Sequence, residues 1–255
     1  MSCSAELIIG HFRDAPATQI VLYSMRGREL SSTLPGRYDL PIRILQLGHP
    51  SPEQNELESS IMLSKPPASR PDIPPSRRGF ALTLLKRTRN PSQLARAIYL
   101  SPQSVPHAML SGREAETIGE ELGIHRVDPS YFFTEQRWKE HRRGLGLPDE
   151  PYPPGRSPSQ DEPPESLDQM PTGTVGAVAL DCRGCIAAVT STGGKTNKMV
   201  GRIGDTPQMG CGFWAEEWKE RHLVKKVLNK LRGRPHTRAV GVSGTGDGDV
   251  NPLPL

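Results

Sequence analysis

A threonine at the start of an apolar strand offers the clearest chemistry in this sequence. The run Thr172-Gly-Thr-Val-Gly-Ala-Val-Ala-Leu-Asp181 places Thr174 between a glycine and a series of small and β-branched residues. A hydroxyl is a weak nucleophile that needs an adjacent base, and a free α-amino group titrates near neutral pH. Cleavage of the bond between Gly173 and Thr174 would therefore give a single residue both a nucleophile and its base.

Two further polar segments follow in order along the chain. The first, Thr190-Ser-Thr-Gly-Gly194, adds the hydroxyl of Thr192, and the second, Gly201-Arg-Ile-Gly-Asp-Thr-Pro207, adds Arg202 and Asp205. An arginine grips a carboxylate through two parallel hydrogen bonds, and an aspartate pairs with an ammonium group. Arg202 and Asp205 therefore suit the two charged ends of an α-amino acid.

A glycine-rich turn, Ser243-Gly-Thr-Gly-Asp-Gly-Asp249, follows a predicted strand near residue 238. It lacks the Gly-Lys-Ser/Thr ending of a phosphate-binding loop, and no helical pattern follows it. Backbone N–H groups exposed by such a turn can stabilise an oxyanion that develops on a reacting carbonyl. An ordinary turn is the equally weighted alternative.

Other arrangements of reactive residues give weaker evidence for a functional site. Cys182 and Cys185 form a lone Cys-x-x-Cys pair that brackets a predicted hairpin turn, so a structural role is favoured over zinc or redox chemistry. The seven histidines show no ligand spacing along a helix face, and no Gly-x-Ser-x-Gly elbow occurs. We expect no metal and no cofactor.

Composition predicts a modest core that carries long irregular segments. Of the 255 residues, 35% are hydrophobic and 5% aromatic, with 26 prolines and 25 glycines. Four cysteines are too few for a disulfide framework, no apolar run approaches the roughly 20 residues of a membrane span, and the first residues lack the features of a signal peptide. The expected location is the cytoplasm.

The net charge of +4 is small. The Lys- and Arg-rich segment 219–238 is the most basic part of the chain. A solvated helix face with a basic loop is favoured there over a nucleic-acid interface.

Local patterns predict a succession of strands and helices. Asn90 and Pro91 resemble a helix cap and first helical position, and Gly123 resembles a helix stop. The patterns predict a loop at 65–78, strands at 55–63, 79–87, 107–110, 174–181, 185–191, from 210 and from 238, with short ones at 6–9 and 19–23, and helices at 90–100, 112–122, 127–138 and 216–231.

Together these motifs resemble the plant-type L-asparaginase/isoaspartyl peptidase family of N-terminal nucleophile hydrolases, to which taspase is related. The resemblance is most specific at 172–206, extends over 89–138 and resumes at 242–247. It implies an α+β fold, a four-layer αββα sandwich, made as a precursor that cleaves itself before Thr174. It also implies a dimer of αβ units acting on a small-molecule or dipeptide substrate.

The resemblance implies a role for each matching residue of the catalytic group. Thr174 matches the nucleophile, whose freed amine is the base, and Thr192 matches the threonine that assists it. Ser243 and Gly244 fall where the family places the threonine and glycine of its oxyanion hole, which also contact the substrate.

Arg202 and Asp205 match the residues that bind the α-carboxylate and α-amino groups of the substrate. The implied reaction is hydrolysis of L-asparagine or of β-aspartyl (isoaspartyl) peptides. Asp205 argues against a taspase-like endopeptidase, which must accept an internal peptide residue with no free amino group.

The resemblance divides the chain unevenly. Residues 1–55 match nothing in the family, 56–144 resemble part of its α subunit, 145–170 have the composition of a disordered linker, and 171–255 resemble a β subunit with a basic insertion at 219–238. The family's glycine-rich opening and its last strands are not recognisable. We therefore expect a chain truncated at both ends, and a catalytically inactive remnant that acts as an interaction protein is the second hypothesis.

Self-cleavage is directly testable. The purified chain should separate into two bands, the smaller beginning at Thr174, and Thr174→Ala should leave one band because it removes the attacking hydroxyl. N-terminal sequencing checks the cut. A wild-type chain that stays uncut for days at neutral pH would contradict the prediction.

Overall fold

The computed structural model describes residues 23–24, 56–132, 135–148, 174–181, 183–193, 196–219, 231 and 237–244. These residues form two β-sheets and a set of short helices. The strands are β1 (Tyr23–Ser24), β2 (Leu57–Leu63), β3 (Gly79–Leu85), β4 (Met109–Ser111), β5 (Val175–Leu180), β6 (Ile186–Thr192), β7 (Phe213–Lys219) and β8 (Thr237–Ser243). The helices are α1 (Pro91–Tyr99), α2 (Gly112–Glu121) and α3 (Glu135–Gly144), with a 3₁₀ turn at Pro129–Phe132.

The larger sheet joins strands from both sides of Gly173. Its order is β1-β5-β6-β2-β3-β4, with antiparallel pairing at the four central strands and parallel pairing of β1 with β5 and of β3 with β4. The antiparallel contact between β2 and β6 connects the two halves of the chain through backbone hydrogen bonds. Cleavage before Thr174 would leave that contact in place.

One face of the larger sheet packs against helices α1 and α2. Leu94 and Ile98, one turn apart on α1, are fully buried against Phe80 and Leu82 of β3. Arg77 fixes the end of α1, since its guanidinium donates to the carbonyls of residues 98, 99 and 105 at 2.9, 3.0 and 2.8 Å. The last carbonyls of a helix have no partner within it, so this arginine supplies one.

The opposite face packs against the hairpin of β7 and β8. Phe213 and Ala215 of β7 are buried against Met62 and Ala188 of the larger sheet. Glycine permits the close approach: a Cβ added at Gly241 would lie 2.6 Å from Val178 Cγ1 and 2.4 Å from Ile186 Cγ2. A side chain there would force the sheets apart.

The predicted elements are largely confirmed. Strands occur at each position predicted between residues 55 and 191, α1 begins at Pro91, and α2 is followed by Gly123 with a φ of +79°. Residues 65–78 form turns without a helix or strand. Asn90 precedes α1 as expected but makes no side-chain cap hydrogen bond.

Two predicted helices differ from the structure. Residues 127–138 contain a 3₁₀ turn and the start of α3, and Tyr131, Phe132 and Trp138 are buried as expected. Residues 216–219, predicted as helical, belong to β7 because they pair in register with β8. Phe213 and Ala215, earlier in the same strand, pack against the larger sheet, and this packing together with the pairing to β8 outweighs local helical propensity.

Several predictions fall on other residues. The short strand at 6–9, the linker from 149 onward, most of the basic segment 219–238 and the turn beyond residue 244 lie outside the described residues. In the described part of the chain, no helix is long and apolar enough to cross a membrane.

The contact between the sheets should depend on Phe213. Phe213→Ala should lower the free energy of unfolding by about 3–5 kcal/mol, since it opens a cavity between well-packed layers. Trp218→Ala on the same strand is the control and should cost less, because Trp218 is 45% exposed. Urea unfolding measures both, and equal losses would contradict the proposed packing.

Candidate active site

Thr174 and Thr192 lie opposite each other on neighbouring strands. The register of β5 and β6 pairs Val175 with Ser191, so the next step places Thr174, immediately before β5, opposite Thr192. The register of β6 and β2 pairs Thr192 with Glu58. Because directly opposed residues project from the same face of a sheet, Thr174, Thr192 and Glu58 form one row across it.

This row faces the hairpin of β7 and β8. A Cβ added at Gly176, two residues after Thr174, would lie only 1.7 Å from Ser243 Oγ. Ser243, at the end of β8, therefore packs directly against Gly176 of β5, the strand that begins just after the predicted nucleophile. Sequence reasoning predicted both residues for one site, and the packing of the two sheets brings them together.

Hydrogen bonds fix the end of β8 in this position. Thr190 Oγ1 donates to the carbonyl of Gly212 at 2.8 Å and lies 2.5 Å from Ser243 Oγ. Since the Thr190 hydrogen is already used, the Ser243 hydroxyl donates to Thr190. The N–H of Gly244 also donates to the carbonyl of Gly212, at 3.0 Å. Both predicted oxyanion donors are therefore engaged by acceptors within the protein.

Arg202 and Asp205 lie on the turn segment 196–212, which connects β6 to β7. Asp205 is 7% exposed and Arg202 is half-buried. This segment contains no regular element, so other parts of the protein must hold it in place. Two glutamates of the strand region beginning at residue 56 do so.

Glu58 binds the backbone between Arg202 and Asp205. Its carboxylate accepts the N–H of Gly204, with distances of 2.9 and 3.2 Å to its two oxygens, and the hydroxyl of Thr83 at 3.1 Å. Burial raises the pKa of Glu58, and the nearby carboxylate of Asp205 raises it further. The Gly204 N–H, the charge of Lys198 and the Thr83 hydroxyl oppose this rise in pKa.

Glu56 forms a buried ion pair with Lys198 at 3.0 Å, and each side chain is 5% exposed. Both oxygens of Glu56 also lie 3.1 Å from the N–H of Gly201. Lys198 in turn donates to the carbonyl of Arg202 at 3.0 Å. The turn segment is therefore held at its start as well as at its centre.

Sequence reasoning missed both glutamates. The available signal was their alternation, Glu56-Leu-Glu58, at the start of a predicted strand. Charged residues on an inward face need partners, but the sequence did not indicate which segment provides them.

Helix α3 also contacts the start of the turn segment. His141, which is 1% exposed, lies with Nδ1 2.5 Å from Asn197 Oδ1, and the Asn197 amide donates to the His141 carbonyl at 3.2 Å. Asn197 adopts a φ of +59°, a conformation that asparagine tolerates better than most residues. A helix that precedes Gly173 thus helps to fix the segment after Thr192.

The structure says less about the other residues that the sequence analysis singled out. Gly173 and Cys182 lie outside the described residues. Cys185 is buried and burial raises the pKa of its thiol, which disfavours a reactive thiolate. Among the residues that the structure describes, no three His, Cys, Asp or Glu side chains gather as a metal site.

A comparison with protein families matches residues 54–219 to the model described as asparaginase. The chain belongs to the asparaginase family. The matched region includes β2 to β7 and the row that contains Thr174, Thr192 and Glu58, which confirms the resemblance drawn from the sequence. Ser243 and Gly244 lie beyond it.

Curated relatives carry names that agree with this family. The chain is 42% identical to the mouse isoaspartyl peptidase/L-asparaginase over 136 residues, 37% identical to the Escherichia coli isoaspartyl peptidase over 140, and 35% identical to the human isoaspartyl peptidase/L-asparaginase over 141. Each match covers 53% of this chain and 37%, 39% and 39% of the respective relative. The chain therefore spans about two fifths of the length of these asparaginase-family relatives.

The buried ion pair predicts a contrast between two lysines. Lys198→Met should lower the free energy of unfolding by about 3–5 kcal/mol, since it leaves Glu56 buried without its cation. Lys65→Met is the matched control: Lys65 pairs with Glu217 at 2.8 Å, but the side chains are 30% and 25% exposed, and such pairs contribute about 0–1 kcal/mol. Chemical denaturation measures both, and similar losses would contradict the role of burial.

Proposed function

We propose that this chain is a threonine-nucleophile amidohydrolase that cleaves itself between Gly173 and Thr174 and then hydrolyses L-asparagine and β-aspartyl (isoaspartyl) peptides. The observation that carries the proposal is the placement of Thr174 opposite Thr192, with Ser243 resting on Gly176 beside them. The names of the relatives support the substrate class.

The reaction proceeds in two steps. Thr174 Oγ attacks the side-chain carbonyl of asparagine or of a β-aspartyl residue, and the freed α-amine of Thr174 accepts the hydroxyl proton. That proton passes to the leaving group, which departs as ammonia or as an amino acid. Water, deprotonated by the same amine, then hydrolyses the β-aspartyl ester and restores Thr174. The buried Thr192 hydroxyl assists Thr174 from the neighbouring strand.

Arg202 and Asp205 bind the charged groups at the α-carbon of the substrate. Arg202 binds the α-carboxylate and Asp205 binds the α-ammonium. This requirement for a free α-amino group favours asparagine and N-terminal isoaspartyl residues over internal residues of a protein, which argues against a taspase-like endopeptidase.

Ser243 and Gly244 form the proposed oxyanion hole. For both donors to serve, the Ser243 hydroxyl must turn from Thr190 and the Gly244 N–H must leave the carbonyl of Gly212, each towards the oxygen of the substrate. In enzymes that stabilise a tetrahedral oxyanion, removal of one such donor lowers kcat by about 100- to 1000-fold.

The engagement of both donors favours a second candidate function. In the structure the Ser243 hydroxyl and the Gly244 N–H already have acceptors in Thr190 and Gly212. A chain that keeps this arrangement would lack an oxyanion hole. It would then be a catalytically inactive member of the family that acts as an interaction protein.

The helices, the larger sheet and the β7–β8 hairpin supply an αββ stack. We propose that the whole fold is the four-layer αββα sandwich of the N-terminal nucleophile hydrolases, divided into an α-subunit portion at 56–144, a linker at 145–170 and a β-subunit portion at 171–255. A pair of αβ units in the cytoplasm is the proposed assembly and location.

A substrate panel tests the proposed function. The self-cleaved chain should hydrolyse β-aspartyl-leucine and L-asparagine but not α-aspartyl-leucine. Asp205→Asn should lower kcat/KM by about 10- to 100-fold, since it removes a charged hydrogen bond to the substrate ammonium. Asp72→Asn, at an exposed ion pair with Arg70, is the control and should leave kcat/KM unchanged.

The alternatives give different results. Cleavage of a protein substrate without hydrolysis of either small substrate would support the endopeptidase. A chain that cleaves itself and hydrolyses none of these substrates would support the inactive interaction protein.

A further inference from the structure

Glu56, which immediately precedes β2, and Glu58 and Ser60 within β2 hold three points of the turn segment. Glu56 accepts the N–H of Gly201, Glu58 accepts the N–H of Gly204, and Ser60 donates its hydroxyl to the carbonyl of Thr206 at 2.8 Å. The three side chains project from one face, because every second residue of a strand does so. The points that they hold bracket both Arg202 and Asp205.

We propose that Glu56, Glu58 and Ser60, here termed the β2 clasp, are positioning residues that set the separation of Arg202 and Asp205, with Glu58 at the centre. The clasp thereby selects a ligand that carries a carboxylate and an ammonium group on one carbon atom. This inference rests on the proposed function, since it assigns the clasp to the same site.

The fit at Gly204 allows little adjustment. A Cβ added there would lie 2.8 Å from Glu58 Oε2, which is closer than real Cβ contacts. An added methyl group at position 204 would force either the Glu58 carboxylate or the segment to shift. Glycine at position 204 therefore lets the N–H reach Glu58 without displacing the carboxylate.

Strand β3 is distorted where it faces Glu58. The pairing of β2 with β3 shifts between Leu57 and Ser59, so that two residues of β3, Thr83 and Leu84, oppose Glu58. Leu84 adopts a φ of +57°, which is unusual for leucine. This bulge accompanies the hydrogen bond from the Thr83 hydroxyl to Glu58. Bulges are common beside active sites, where they redirect a side chain.

A buried carboxylate elsewhere in the chain provides a matched control. Glu116 of α2 is 3% exposed and accepts the N–H groups of Lys86, Arg87 and Thr88 at 2.8, 2.6 and 3.0 Å. It thus performs the same structural task as Glu58, on the helical side of the larger sheet. Loss of Glu116 should destabilise the fold without moving Arg202 or Asp205.

The test measures binding of L-aspartate, the product of both proposed reactions, by calorimetry, together with KM and kcat for β-aspartyl-leucine. Glu58→Ala should weaken aspartate binding and raise KM by about tenfold, with a much smaller change in kcat. Glu58→Gln keeps one acceptor oxygen and should recover part of the loss. Glu116→Ala should lower Tm but leave the Kd for aspartate unchanged.

A double-mutant cycle isolates the contact. Gly204→Ala alone should weaken aspartate binding because its methyl group meets the carboxylate of Glu58. In the Glu58→Ala background the methyl group has room, so the second change should add little. Such non-additivity is the mark of two residues that act through one contact. If Glu58→Ala fails to fold, Glu58→Gln and Gly204→Ala carry the test, and weaker aspartate binding by both, with Glu116→Gln unaffected, supports the proposal.

Several outcomes would overturn the inference: an unchanged Kd in the Glu58 variants, equal losses in the Glu58 and Glu116 variants, or a wild-type chain that does not bind L-aspartate. Failure of the proposed function is distinguishable. A wild-type chain that binds L-aspartate but hydrolyses nothing would contradict the catalytic proposal, while the binding comparison would still decide the role of the clasp.

Discussion

The close approach of the two sheets is the constraint on which the site depends. Gly176 and Gly241 have no side chains, and this allows Ser243 to rest on β5 and β8 to pack against Val178 and Ile186. The same contact places the end of β8 beside the row of Thr174 and Thr192. A larger residue at either glycine would widen the gap and remove Ser243 from the neighbourhood of the predicted nucleophile.

The second requirement is control of a segment that has no secondary structure of its own. A loop that carries binding residues must be held by a rigid element if those residues are to keep a fixed geometry. Here β2 supplies the rigid element, and the buried glutamates at and just before its start, Glu58 and Glu56, use backbone N–H groups as their partners. Helix α3 adds a further contact through His141 and Asn197. Since β2 and α3 precede Gly173, the portion of the chain before the proposed cut positions residues that follow it.

Much of this arrangement was predictable from local patterns. The strands around Thr174 and Thr192, the helix at Pro91 and the buried aromatic residues of 127–138 follow from periodicity, turn residues and side-chain type. The strand character of 216–219 was not predictable, because it depends on pairing with β8. Neither were the partners of Ser243 and Gly244. From the sequence, the Ser243 hydroxyl and the Gly244 N–H were expected to be available to a substrate. Once β8 packs against the larger sheet, they donate instead to Thr190 and to the carbonyl of Gly212.

The sequence by itself determined the proposed chemistry: a threonine after glycine, a second threonine, and an arginine and an aspartate suited to an amino acid, in the order typical of one family. These features depend only on residue types and on short spacings along the chain, which can be read directly from the sequence. The tertiary structure decided how the groups are held. Glu58 meets Gly204 across 146 positions of the chain, and such a contact depends on strand register and sheet packing, which local sequence does not specify.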